Sequence, residues 1–115
     1  VPLVDVFVDP RLNDADLARI ANVLRDVVPR AVECPEEPVV GPLAVGDLEI
    51  RFRPRRSQDV GDLTAVVEVK TMRFASRLVN AHERSDLIRD ALASLEIGPT
   101  GVWLMLIDGG WSQSP

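Results

Sequence analysis

Cys34 is the only cysteine in the chain's 115 residues. No intrachain disulfide can form, and no cysteine cluster can hold zinc. Histidine is equally scarce: His82 stands alone, and no acidic or nucleophilic constellation surrounds it. No apolar run reaches membrane-spanning length, and no P-loop, dinucleotide fingerprint or metal-ligand cluster appears. Positive charge is in the minority. Lys and Arg number 13 against 18 Asp and Glu, a formal net charge of −5, which argues against a nucleic-acid partner. Nothing resembles a secretory leader. The expectation is a soluble cytoplasmic protein that binds neither nucleic acid nor membrane.

What is present is an ordinary globular balance, 46% hydrophobic and 27% charged, of a length suited to one domain with a modest core. The segment 3–8 (LVDVFV) reads as a strand stopped by Asp9-Pro10. Asn13 through Asp16 (NDAD) supplies an N-cap and an acidic first turn. Leu17, Ile20, Ala21, Leu24, Val27 and Val28 then follow helical spacing, with Pro29 expected to end the helix. Residues 31–46 hold three prolines and two glycines and read as a loop, long for a compact domain. Leu48, Ile50 and Phe52 alternate with Glu49, Arg51 and Arg53, a half-buried second strand. A third strand is expected over 64–72 (TAVVEVKTM). Asn80 and Glu83 have the form of a capping box opening a helix whose apolar face is Leu87, Ile88, Ala91, Leu92 and Leu95. Gly98-Pro99 closes it. The run 102–107 (VWLMLI) predicts a fourth strand buried on both faces.

The order is β-α-β twice, over about 1–53 and 62–107, within a single domain spanning 1–115. Such units predict an α/β (α+β) fold, a four-stranded mixed sheet with two helices on one face. A sheet apolar on its other face as well needs a second cover, and an oligomer supplies one economically.

These features resemble the tautomerase superfamily, in its macrophage migration inhibitory factor, malonate semialdehyde decarboxylase and 5-carboxymethyl-2-hydroxymuconate isomerase-like branches. The amino-terminal strand (VPLVDVFVDP) carries a proline at its turn, as cytokine-like members do. Leu95-Glu96-Ile97-Gly98-Pro99 followed by Val102-Trp103-Leu104-Met105 is similar to the family's link between second helix and fourth strand. Asp108-Gly109-Gly110-Trp111 resembles the acidic-x-x-Trp turn of the decarboxylase branch. The resemblance implies a homotrimer, no cofactor, and a pocket between subunits around an amino-terminal proline whose amine acts as base or acid. The substrate so implied is a small α-keto or unsaturated carboxylate.

Carried onto this chain, the resemblance places Val1 where the catalytic proline belongs and Arg73 at a carboxylate-binding position. Arg77 is a second, looser match, Arg30 falls near a lysine of the cytokine-like members, Trp103 takes the place of a fourth-strand aromatic, and Met105 replaces a polar amide. A small residue behind an initiator Met permits its removal, which leaves open whether Val1 is the mature terminus. A free α-amine titrates at about 7.7–8.0, so Val1 could serve as a base near neutrality, held extended by Pro2. The rival expectation is a catalytically silent trimer or one subunit of a mixed assembly. A third, an unrelated ferredoxin-like sensing domain, shares the element order but predicts a monomer or dimer. Arg51 and Arg53 suit an interface or solvent, Arg55-Arg56 and Glu36-Glu37 suit solvent, His82 is expected to be structural and Cys34 a small hydrophobe. Trp111 fits either a neighbour's pocket or an interface.

Overall fold

The computed structural model describes residues 2–37, 48–112 and 114. Its elements are β1 (Leu3–Val8), α1 (Asp14–Val32), β2 (Glu49–Pro54), β3 (Ala65–Met72), α2 (Ala75–Leu78), α3 (Ala81–Ala93) and β4 (Thr100–Ile107). The strands form one sheet in the order β2-β1-β3-β4. β1 runs parallel to β2 and antiparallel to β3, and β3 runs parallel to β4. The expected mixed sheet of two β-α-β units is therefore the observed one. Most of the expected loop 31–46 lies outside the described residues.

Alternation along the strands sends one set of side chains towards the helices. Val4, Val6 and Val8 of β1, Val67 and Val69 of β3 and Leu104 of β4 meet Ile20, Leu24, Val27 and Val28 of α1 and Ile88 and Leu92 of α3 in one core. The other set, including Leu3, Asp5 and Phe7 of β1, faces away from the helices. On that face β4 presents Trp103 and Ile107, 67% and 42% exposed. The expectation that β4 is buried on both faces does not hold among the described residues of one chain, where β4 is an edge strand whose Trp103 and Ile107 are exposed.

Helix α1 opens as the sequence indicates. The Asn13 side chain accepts from the Asp16 amide at 2.9 Å, and the Asp16 carboxylate accepts from the Asn13 amide at 3.1 Å. It does not end at Pro29, which lies inside the helix. Proline removes one N–H, but the following turn buries Ala31 and Val32, and two distant arginines take up its carbonyls. Arg77 Nε donates to the Val32 carbonyl at 2.7 Å, while Arg84 Nη1 donates to those of Ala31 and Glu33 at 2.9 and 2.6 Å. The capping box expected at Asn80 is also absent. Asn80 makes no side-chain cap bond; its Oδ1 accepts instead from Arg84 Nε at 2.6 Å. The same arginine that caps α1 thus takes the cap of α3.

Candidate active site at the start of the first strand

Strand directions gather three strand ends, the start of β1 and the ends of β3 and β4, at one end of the sheet. Leu3, at the start of β1, pairs with Lys70 near the end of β3. Met72, the last residue of β3, pairs with Ile107, the last of β4. Beyond Ile107 the chain turns through Asp108, Gly109 and Gly110 to Trp111. Gly109 adopts φ +144°, a conformation that glycine reaches without a Cβ penalty. These segments enclose a cleft of about 170 Å³, walled by Leu3, Met72, Ile107 and Trp111 and reached by Lys70 and Asp108. The Pro2 carbonyl accepts from the Glu49 amide at 3.3 Å, which ties the entry of β1 to β2. The cleft is mainly apolar with a few charged groups, as small-molecule sites are.

Of the residues singled out from the sequence, Arg73 does not line this cleft but is bonded to two residues that do. Its amide donates to the Ile107 carbonyl at 3.1 Å, and its Nη1 lies 3.4 Å from Asp108 Oδ2. The guanidinium remains half exposed. Met105 is on the outer face, paired across the strands with Lys70. Trp103 pairs with Glu68 and lines a separate cleft against His82 and Arg89 of α3. Neither side chain lines the first cleft within one chain. Val1 lies outside the described residues.

The structure does not bring Arg77 or Arg30 to the cleft. Arg77 is 1% exposed. Besides its bond to Val32, its Nη1 donates to the Met72 carbonyl at 2.9 Å and lies 3.5 Å from Glu37 Oε2, and its guanidinium carbon sits 5.3 Å from the Phe74 ring centre. Arg30 is exposed on the last turn of α1, pairing with Asp26 at 2.9 Å one turn back. The remaining residues behave quietly. His82 is exposed near Asp86, and Cys34 is buried. Among the described residues no group of three metal-ligating side chains forms.

What sequence reading missed is a charged cluster in the middle of the outer face. Asp5 is only 3% exposed. Its carboxylate takes Arg51 Nη2 at 3.0 Å, Arg53 Nε at 3.3 Å and Lys70 Nζ at 2.9 Å, and Glu68 approaches Lys70 at 3.5 Å. Burial pushes the Asp5 pKa up, but the hydrogen bonds and charges of Lys70 and Arg51 outweigh it and hold the group below its ordinary 3.8. The bond to Asp5 raises Lys70 above its ordinary value against the opposing effect of burial. That shift favours the ammonium form of Lys70. The available signal was an aspartate on the face that Leu3 and Phe7 share, opposite lysine and arginines on flanking strands.

No family model matches the chain, and no curated protein matches it in sequence. Solved structures do match its shape. A malonate semialdehyde decarboxylase designated FG41, solved inhibited by 3-bromopropiolate, superimposes with a TM-score of 0.66 at 12% identity, over 97% of this chain and 88% of that one. The asymmetric trimer of the fused 4-OT called F6 gives 0.61 at 13%, over 92% and 85%. The Leishmania major protein MIF2 gives 0.56 at 15%, over 96% and 93%. Identities this low speak for architecture alone, and they come from proteins of one superfamily. In its doubled β-α-β sheet with helices on one side, the chain has the tautomerase fold.

Proposed function

We propose that this chain is a tautomerase- or isomerase-like cytoplasmic protein that transfers a proton on a small α-keto or unsaturated carboxylate, using the amine of Val1. The observation that carries the reading is the cleft at the start of β1. Pro2, bonded covalently to Val1, is tied to β2 through its carbonyl, and Leu3 walls the cleft. The proposal puts the amine that precedes Pro2 at this cleft. A free α-amine ordinarily titrates at about 7.7–8.0, close enough to neutrality to serve as a base. Arg73, facing Asp108 of the cleft wall, provides a guanidinium that can draw a carboxylate towards the cleft. The reading needs the natural chain to begin at Val1.

The assembly proposed is a homotrimer in which each outer sheet face is covered by its neighbours. Trp103 and Met105 would then approach the cleft of an adjacent copy and complete its wall. A neighbour in shape is itself described as a trimer, and this chain exposes Trp103 and Ile107 on its outer face.

Trapping tests the amine. Incubation with a small α-keto acid and cyanoborohydride should add the reduced ligand to Val1, with lysines unmodified at the same pH. Labelling confined to lysines would contradict a reactive terminus.

A silent trimer, or one subunit of a mixed assembly, is the second reading. Trp103 carries no phenol and Met105 no amide, so the outer face lacks two groups that the resemblance associates with polarising a carbonyl. An unmodified Val1 in a protein that still forms trimers would favour it.

A further inference from the structure

The cluster around Asp5 is unbalanced. Arg51, Arg53 and Lys70 share two carboxylates, Asp5 and Glu68, which leaves one positive charge over. The arginines are about half exposed, whereas the Lys70 side chain is 27% exposed and lines the cleft beside Met72 and Ile107. An ammonium has three donors and no acceptor. Asp5 takes one at 2.9 Å, and Glu68, at 3.5 Å, is too distant for a strong second bond. At least one donor remains for a ligand.

Resting on the reading of this cleft as the substrate site, we propose that Lys70 receives the carboxylate of a small monoacid and that Asp5 positions its ammonium. Arg73 serves differently. Its guanidinium is more exposed and already faces Asp108, so water screens its pull on an anion. Lys70 lies deeper, between apolar walls where a charge attracts more strongly. The acid lays its carboxylate on Lys70 and its apolar end against Leu3, Met72 and Ile107, which wall the cleft of about 170 Å³ that one chain forms.

The test separates binding from chemistry. The full chain is acetylated at its amino terminus, which disables the amine, and titrated with 2-oxobutanoate and with the neutral 2-oxobutanamide. The amide signals of Gly109 and Gly110 are followed by NMR. The acid should move these signals, and Lys70→Met should weaken its Kd roughly tenfold or more. Lys70→Arg should restore most of the affinity, while the amide should bind the parent and the Lys70→Met protein alike. Asp5→Asn should weaken the acid several-fold without altering the amide's binding. Equal affinity of the acid for parent and Lys70→Met proteins would overturn the assignment, as would no binding at all. Failure to trap a ligand on Val1 would leave this assignment standing and remove only the amine chemistry.

Discussion

Replacing Arg77 with methionine should lower the unfolding free energy by about 3–5 kcal/mol. The guanidinium is almost wholly buried, and its partners are main-chain carbonyls from two places far apart in the chain, Val32 at the end of α1 and Met72 at the end of β3. Methionine can fill much of the volume but donates nothing. Both carbonyls would lose a charged donor, each at about 1–3 kcal/mol when left unsatisfied. The stacking on Phe74 and the pairing with Glu37 would go as well. A domain of this size has only about 5–15 kcal/mol in hand, so the variant should sit close to its limit. Urea denaturation measures it, with the midpoint falling and the slope nearly unchanged. Arg77→Lys should recover part of the loss, since one ammonium can reach one carbonyl. A decrease under about 1 kcal/mol would mean that Arg77 does not hold α1 against α2.

Val1→Pro should raise kcat/KM for ketonising a phenylpyruvate-type enol by about tenfold or more, equivalent to roughly 1.4 kcal/mol off the barrier. Two features of the natural residue oppose the reaction. Its side chain is β-branched where the resemblance implies a compact ring, and a primary amine keeps rotational freedom that a ring removes. Pro2 biases residue 1 towards an extended backbone in either case, so the substitution changes the amine and leaves its mooring. A control with Gly-Ser placed ahead of Val1 moves the amine away from Leu3 and should fall to background. An unchanged rate in Val1→Pro would indicate that the cleft is not aligned on the terminus, and would favour the silent reading.

The sequence was readable where local patterns agree with tertiary burial. Strands β1, β2 and β3 appear within a residue or two of their expected places, and Asn13 caps α1 as its spacing to Asp16 suggests. It was unreadable where distant contacts decide. Pro29 has a strong tendency to stop a helix, but Arg77 and Arg84, some 45–53 residues away in sequence, satisfy the turn beyond it. The same contacts explain why Arg77, following the third strand, looks in sequence like a ligand-binding cation and sits in the structure as a clamp. The short helix α2 fills the linker 74–79, whose four helical residues are too few to declare a period.

The site was legible in part for similar reasons. Arg73 follows β3 directly, so its bonds to Ile107 and Asp108 beside the cleft come from strand geometry alone. Lys70 needs the register as well: only the pairing of Leu3 with Lys70 and of Asp5 with Glu68 sets an ammonium beside a buried carboxylate and at the edge of the cleft. The parallel pairing of β1 with β2 adds Arg51, opposite Asp5. Alternation predicts which face each of these residues takes, but not that one aspartate would collect three cations.

Sedimentation equilibrium of the purified protein at micromolar concentration tests most directly whether copies of the chain cover one another's bare sheet face. The expected result is a single species with three times the mass of one chain, lost on converting Trp103 to aspartate. A one-chain mass that persists as concentration rises would contradict it, leaving Trp103 and Ile107 in water and each cleft without its second wall.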